Sequence, residues 1–222
     1  MIADQFAEIK AQIKQAIAEA VDPADKVHLI AVSKQQPDEK IEAALATGHR
    51  LFGENRVQEA QERWQVRRAD YPDLQLHLIG PLQSNKAGDA VSLFDVIETI
   101  DREKIAKAVA GEIAKQQKQM RCFVQVNTGM EPQKSGIAPE EVAEFVSYCQ
   151  QDLGLVITGL MCIPPADEEA AMHFALLKKY ARALNLPHLS MGMSADFAEA
   201  ISFGADYVRV GSALFGQRLP RT

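Results

Sequence analysis

Residues 188–216 have the sequence HLSMGMSADFAEAISFGADYVRVGSALFG. This stretch begins with a short strand pattern, HLSMGMS, and continues with a helical pattern, ADFAEAISFG. It ends with a second strand and a turn in DYVRVGSALFG. A strand, a helix and a second strand within about 30 residues are typical of the βαβ unit of a parallel sheet. We therefore predict two neighbouring parallel strands joined by a helix.

The same alternation extends back to residue 27. Val27–Val32 is an apolar run of strand length, and residues 37–48 follow it with a helical pattern that ends at a glycine. Between these regions lie five more strand patterns, separated by helical ones: RLFGEN, LQLHLIG, DVIETI, CFVQVN and LVITGLMCI. Eight apolar strands alternating with helices predict an α/β fold, a closed (β/α)8 or TIM barrel. An open doubly wound sheet is the alternative, but no G-x-G-x-x-G pattern follows the first strand.

The chain shows no internal boundary. Residues 1–22 carry one apolar face that runs from Phe6 to Ile17, which predicts an extra N-terminal helix ahead of the barrel. The barrel itself is predicted over residues 27–216. Because no Ser-, Gly- or Pro-rich linker interrupts the pattern, we expect residues 1–222 to form a single domain.

Composition excludes several classes of protein. Hydrophobic residues make up 47% of the 222 residues and the net charge is −6, which argues against disorder and against a nucleic-acid-binding surface. No segment resembles a signal peptide or approaches the ~20 apolar residues of a membrane span. Cys122, Cys149 and Cys162 are widely spaced among apolar residues, which favours reduced packing thiols rather than a metal site. We expect a cytoplasmic protein without a membrane or metal partner.

Lys34 is the most informative residue at a predicted strand end. Active sites of (β/α)8 barrels lie at the C-terminal ends of the strands, and the run VHLIAV ends at Ser33 and Lys34. A lysine in a partly desolvated pocket loses its proton more readily, and the neutral amine can form a Schiff base with a carbonyl. A solvated lysine after a strand is the alternative, and the position alone does not separate the two.

The loops after the seventh and eighth strands resemble a phosphate site. Small residues there let backbone N–H groups approach an anion closely: Gly192, Ser194, Gly211 and Ser212. A helix that begins at Ala195, with Ser194 as its N-cap, would add a positive dipole. These two loops form the common phosphate site of this fold, although ordinary turns use the same residue types.

An arginine completes the pattern. Arg209 lies within the strand YVRVG, and alternation places it on the same face as Gly211. A lysine that binds an aldehyde, a phosphate site and an inward arginine together indicate pyridoxal 5′-phosphate (PLP). An arginine beside the ring nitrogen would keep that nitrogen unprotonated, and such a ring is a poor electron sink.

Five further residues are predicted as cofactor contacts on weaker grounds. Asn55 and His77 face the barrel mouth if the strand registers are right, although a helix N-cap and a strand histidine explain them equally well. Met161 and Ser190 belong to the sixth and seventh strand ends. Lys134 lies in a polar Gly- and Pro-containing loop, where a solvated lysine is the default interpretation.

Seven motifs distributed over residues 27–216 carry a resemblance to a known family. They are AVSK, FGENRVQE, HLIGPLQSNK, VNTGMEPQKSG, GLMCIPP, LSMGMSADFAEAI and YVRVGSALFG. In this combination the chain resembles the YggS/PROSC family of pyridoxal phosphate homeostasis proteins.

The resemblance implies a barrel of the alanine racemase N-terminal type that holds PLP through a Schiff base on Lys34. It implies that Ser194, Gly211 and Ser212 bind the phosphate and that Arg209 meets the ring nitrogen. Many family members carry threonine where this chain has Ser212, and either hydroxyl can bind phosphate. A lysine matching Lys134 has been linked to cofactor handling in the family.

The family is regarded as having no established turnover, so the resemblance implies a non-catalytic protein. Its role would be to bind, buffer and deliver PLP to apo-enzymes, in vitamin B6 and amino-acid homeostasis. Separately, we expect a monomer. An amino-acid racemase and a Schiff-base aldolase are the alternatives. A racemase needs a second base opposite the lysine, usually a tyrosine from a second domain, and the sequence as given shows none. The four tyrosines are predicted on helices or at strand starts: Tyr71, Tyr148, Tyr180 and Tyr207.

Overall fold

Eight strands and nine α-helices alternate along residues 1–216, the part of the chain that the computed structural model describes. The strands are β1 (His28–Val32), β2 (Leu51–Glu54), β3 (Gln75–Leu78), β4 (Val96–Ile100), β5 (Arg121–Val126), β6 (Val156–Cys162), β7 (His188–Met193) and β8 (Tyr207–Val210). The helices are α1 (Ile2–Glu19), α2 (Asp38–Ala46), α3 (Val57–Trp64), α4 (Ala87–Leu93), α5 (Glu103–Gln116), α6 (Val142–Gln151), α7 (Ala170–Ala183), α8 (Phe197–Ser202) and α9 (Ser212–Phe215). Short 3-10 helices, Ser84–Lys86 and Pro139–Glu141, precede α4 and α6.

The eight strands form a closed, all-parallel barrel in chain order. β8 closes on β1 through the pairs His28–Tyr207 and Ile30–Arg209. Each parallel connection has to cross over the outside of the sheet, and the helices therefore cover the barrel. This arrangement confirms the predicted (β/α)8 fold.

Two groups of buried apolar side chains hold the barrel together. The larger group lies between the strands and the surrounding helices and includes the fully buried Trp64. A smaller group fills the barrel interior and consists of Ile30, Leu51, Val96, Phe123, Met161 and Tyr207. The strands are thus buried on both faces, which is why they appear in the sequence as continuous apolar runs.

The N-terminal helix is present, as predicted, and packs on the outside of the barrel. Its buried face consists of Phe6, Ile9, Ile13 and Ala16, which lie against α2, α8 and α9. No helix within the described residues combines the length and the apolar character that crossing a bilayer requires.

The three cysteines are free, buried thiols, as expected. Burial raises the pKa of Cys122, Cys149 and Cys162 to about 12. They are therefore protonated packing groups at neutral pH.

Candidate functional site

The C-terminal ends of β1, β2, β7 and β8 surround a pocket of about 290 Å³. This volume is near the lower end of ligand pockets and suits a molecule with a single ring. Six of the ten residues predicted as cofactor contacts line it: Lys34, Asn55, Ser194, Arg209, Gly211 and Ser212. Residues from both ends of the chain meet here because β8 lies beside β1 in the closed barrel.

The rest of the pocket wall is mostly apolar and was missed by sequence reasoning, which considered mainly polar groups. Val32, Ile79 and Ile163 provide this surface at the ends of β1, β3 and β6, and Met193 adds to it from the end of β7. Strict alternation along β3 was a usable signal, because Ile79 lies two residues after the inward-facing His77.

Lys34 lies in the turn that directly follows β1, and its side chain is partly buried. The turn begins where Ser33 N donates to Gly53 O at 3.1 Å, and it closes where Gln36 N donates to Ser33 O at 3.2 Å. Gln35 adopts a left-handed backbone with φ of 58°. The turn therefore carries the lysine directly from the barrel wall into the pocket lining.

Asn55 follows β2 immediately and is held close to the next strand. A Cβ atom on Gly80 would lie 2.3 Å from Asn55 O, so only glycine allows the two strand exits to approach this closely. Asn55 does not cap α3, whose N-cap is Arg56. Its Oδ1 atom is buried and has no hydrogen-bond partner among the described residues.

Arg209 places a buried positive charge at the pocket. The residue is 4% exposed, and its guanidinium donates to Ser190 Oγ and to Cys162 O, each at 2.7 Å. These bonds fix the guanidinium from within the barrel. They use two of its five N–H donors.

The phosphate-type loops meet directly, but the predicted helix start was wrong. α8 begins at Phe197 rather than Ala195, and its N-cap is Asp196 rather than Ser194. The side chain of Asp196 accepts a hydrogen bond from the backbone N of Met193 at 2.5 Å. Ser194 Oγ accepts one from Gly211 N at 3.3 Å, which joins the two loops. α8 has only six residues, so loop hydroxyls and loop N–H groups form this side of the pocket.

Gly192 serves packing and does not line the pocket. Its φ is 87°, and a Cβ atom there would lie 2.5 Å from the Ala200 Cβ. The pairing of β7 with β8 also shifts between Ser190 and Met193, as expected for an irregularity beside a binding site. Glycine at this position lets α8 pack against the end of β7.

Known proteins resemble this chain over almost its whole length. The family model of the alanine racemase N-terminal domain matches residues 6–219. The pyridoxal phosphate homeostasis proteins of Pseudomonas aeruginosa and Pasteurella multocida are 42% and 38% identical to the chain. Each match covers 98% of this chain and at least 96% of the relative.

The chain belongs to the family of pyridoxal phosphate homeostasis proteins. PipY of Synechococcus elongatus PCC7942, solved with PLP bound, is 36% identical and matches with a TM-score of 0.84. That match covers 97% of this chain and 100% of PipY. The resemblance carried by the seven sequence motifs is confirmed.

In this family member, a chain of buried polar groups continues below Arg209. Ser190 Oγ donates to Glu98 Oε2 at 2.5 Å, and Glu98 Oε1 lies 2.6 Å from His77 Nδ1. Ser190, Glu98 and His77 are all fully buried. His77 and Ser190, predicted as cofactor contacts, thus lie beneath the pocket and form part of the support of Arg209.

Glu98 was missed in the sequence. A carboxylate in the middle of the apolar run DVIETI was the available signal, because a buried carboxylate requires hydrogen-bond partners. His77 provides one partner, and its ring also packs against Tyr207 at 5.3 Å between centroids. The His77 Nε2 atom is buried and has no hydrogen-bond partner among the described residues.

Two other predicted contacts lie away from the pocket lining. Met161 is fully buried in the barrel interior. Lys134 lies in the loop after β5, where Nζ donates to Pro164 O at 3.1 Å and forms an ion pair with Glu131.

Proposed function

We propose that this protein binds PLP in the pocket between β1, β2, β7 and β8, buffers it and delivers it, without turning over amino acids. The observation that carries the proposal is the meeting of one lysine, one buried arginine and two hydroxyl-bearing loops in a single small pocket. The family to which the chain belongs and the PLP-bound PipY relative support the same ligand.

The chemistry of the pocket fits PLP. Hydroxyls of Ser194 and Ser212 suit the phosphate, and Val32 and Ile79 offer apolar surface to a ring. The buried Asn55 Oδ1, which has no hydrogen-bond partner in the described structure, offers an acceptor to a polar ring substituent.

Each pocket residue has a role in holding the cofactor. When bound, PLP supplies an aldehyde carbon, to which a neutral lysine amine can bond covalently with loss of water. Lys34 provides that amine. Ser194, Ser212 and the loop at Gly211 would bind the phosphate, and Arg209 would donate to the ring nitrogen. Because arginine stays protonated, it would give the ring nitrogen a hydrogen bond but no proton.

Among the described residues, the pocket lining offers no second base for racemisation. The described tyrosines lie elsewhere, and Tyr207 packs between His28 and His77 at the start of β8. An arginine at the ring nitrogen, in place of a carboxylate, also disfavours carbanion chemistry. We therefore propose a carrier that acts as a monomer in the cytoplasm and passes PLP to apo-enzymes. In this proposal Met161, His77 and Ser190 support the pocket from below, and Lys134 acts from outside it.

A labelling experiment tests the covalent site. Purified protein mixed with PLP is reduced with borohydride and digested, and the modified peptide is identified by mass spectrometry. We expect the label on Lys34 and loss of the visible absorbance band in Lys34→Ala. Lys40→Ala is the matched control, because Lys40 is a nearby, partly buried lysine that does not line the pocket. A label on Lys134 or Lys86 in place of Lys34 would contradict the assignment.

A second experiment separates the carrier from a racemase. Amino acids are incubated with PLP-loaded protein in deuterium oxide, and cofactor transfer to an apo-enzyme is followed in parallel. We expect transfer without deuterium at the α-carbon. Steady deuterium incorporation that disappears in Lys34→Ala would favour the racemase.

A further inference from the structure

One arginine on α3 holds both ends of the turn that carries Lys34. Arg63 Nη1 donates to Ser33 O at 3.0 Å, and Nη2 donates to Gln36 O at 2.9 Å. Ser33 and Gln36 are buried, and the Arg63 side chain is only 13% exposed. The backbone on either side of Lys34 is therefore fixed to a helix outside the barrel.

Glu54 fixes the same turn through a side chain. Its Oε1 atom accepts hydrogen bonds from Ser33 Oγ at 2.7 Å, Arg63 Nη1 at 2.8 Å and Trp64 Nε1 at 3.0 Å. Glu54 is fully buried and ends β2. Burying a carboxylate is costly unless hydrogen-bonding and charged partners compensate for the water that it loses. Arg63 and Glu54 thus hold residues 33–36 from two sides, and we call this pair of side chains the clamp.

The backbone inside the clamp is strained. Gln35 has a φ of 58°, in the left-handed region that residues with a side chain seldom adopt. Such conformations persist where surrounding contacts over-determine them, and they concentrate at functional sites. The bonds from Arg63 to Ser33 and Gln36 supply that constraint on both sides of Gln35.

A second arginine makes the same kind of contacts at the opposite end of the barrel, away from the candidate site. Arg68 donates to Leu74 O at 3.1 Å, to Leu93 O at 2.5 Å and to Asp95 Oδ2 at 2.7 Å. These acceptors lie just before β3 and β4, at the N-terminal end of the barrel. Arginines thus fasten loops at both ends of the barrel, and of these two it is Arg63 whose backbone acceptors lie on either side of the lysine in the candidate site.

We propose that Arg63 and Glu54 are positioning residues that keep the Lys34 amine aligned for covalent capture of PLP. The inference rests on the proposed function. In the capture step the neutral Lys34 nitrogen bonds to the aldehyde carbon, and the aldehyde oxygen leaves as water with the two amine protons. Such additions depend steeply on alignment, and a backbone fixed on both sides leaves only the Lys34 side chain to orient.

The decisive variant is Arg63→Lys. It keeps a positive charge beside Glu54, but a single ammonium does not reproduce the fork that bonds both carbonyls. We expect the rate of covalent PLP capture, followed by stopped-flow absorbance, to fall at least about 10-fold. We expect the Kd of pyridoxine 5′-phosphate, which lacks the aldehyde, to change less than about twofold by calorimetry. Arg68→Lys is the matched control and should leave both quantities unchanged.

A second variant tests whether slower capture could come from misfolding caused by an unpaired buried charge. The double substitution Glu54→Gln with Arg63→Gln removes both charges together, so that no unpaired buried charge remains. It should also slow covalent capture while retaining pyridoxine 5′-phosphate binding.

Three outcomes overturn the inference. Capture by Arg63→Lys at the wild-type rate would show that the clamp does not position Lys34. Equal weakening of PLP capture and pyridoxine 5′-phosphate binding would assign the clamp to general support of the pocket. Wild-type protein that forms no bond at Lys34 would overturn the proposed function itself, and this inference with it.

Discussion

Glu54 and Glu98 are both fully buried strand carboxylates, but they lie on opposite faces of the barrel wall. Glu54 ends β2 and points outward to α3, where it pairs directly with Arg63 at 2.8 Å. Glu98 lies in β4 and points inward, and it reaches Arg209 only through the hydroxyl of Ser190.

The difference shows how one barrel separates two tasks. The direct pair at Glu54 neutralises its arginine locally and fixes the backbone around the pocket lysine. The indirect link at Glu98 orients Arg209 through a neutral hydroxyl, so the guanidinium keeps donors for a ligand in the proposed site. Under the proposed function, the outer carboxylate would therefore position Lys34, and the inner one would orient Arg209.

The largest expected effect follows from removing the outer carboxylate. Glu54→Ala deletes the acceptor of three hydrogen bonds and leaves the Arg63 charge without its buried partner. We expect the free energy of unfolding, measured by urea denaturation, to fall by about 3–5 kcal/mol. Glu54→Gln, which keeps the shape of the side chain, is the control and should cost less. A loss of less than about 1 kcal/mol in Glu54→Ala would contradict the stabilising role that the comparison gives to Glu54.

The next effect concerns the stability of the protein in acid, to which a buried histidine outside the comparison contributes. Burial lowers the pKa of His49 from 6.5 to about 4, despite a hydrogen bond to Leu51 O. Because the folded pKa is below the unfolded one, the stability that His49 contributes is complete above about pH 6.5. It is lost as the pH falls toward 4.

We expect this loss to approach about 3 kcal/mol, measured by urea denaturation at a series of pH values. His49→Gln should flatten the profile between pH 6.5 and 4, and any remaining slope then belongs to other groups. An unchanged slope would mean that His49 is not the source of the acid sensitivity.

The inner carboxylate should have a smaller effect on stability and a distinct effect on binding. Glu98→Gln keeps the shape of the side chain but removes the charge that orders Ser190 and His77. We expect a loss of about 1–3 kcal/mol in the free energy of unfolding. We also expect about 2- to 10-fold weaker binding of pyridoxine 5′-phosphate by calorimetry, because Arg209 is less well oriented.

Glu54→Gln is the matched variant for this comparison and should slow covalent PLP capture instead. If both substitutions changed the same quantity to the same degree, the proposed division between position and charge would be wrong.

The smallest effect is expected for the bridging hydroxyl. Ser190→Ala removes one acceptor from Arg209 and one donor from Glu98, and we expect a loss of about 1 kcal/mol in stability. Combined with Glu98→Gln in a double-mutant cycle, it should show a coupling of at least about 0.5 kcal/mol. Ser202→Ala serves as the control at an exposed hydroxyl. If the two substitutions changed the free energy of unfolding additively, Ser190 would not connect Glu98 with Arg209.

Local sequence patterns were enough to predict the eight strands, the position of Lys34 at the β1 exit and the small residues of the two loops. They did not predict where α8 begins. Ser194 and Asp196 are both good capping residues, and the choice between them depended on a partner from another loop. Gly211 N donates to Ser194 Oγ, and Asp196 is the N-cap of α8.

The depth of inward-facing residues was also beyond sequence reasoning. His77 and Asn55 both follow from alternation, but only Asn55 lines the pocket, and His77 lies below it. Alternation gives the face of a strand on which a side chain lies. Its depth along the barrel axis depends on the stagger between neighbouring strands, including the shifts in β4, β6 and β7.

Hydrophobic periodicity and turn residues reflect interactions between residues that are close along the chain. They were therefore sufficient to predict the barrel, to reveal the family motifs and to locate the candidate lysine. The partners of the buried charges are set by closure of the barrel. Ser190 and Glu98 are 92 residues apart, and Arg63 and Ser33 are 30 apart. Each buried charge needs a partner once water is excluded, and only the packed barrel determines which partner is within reach.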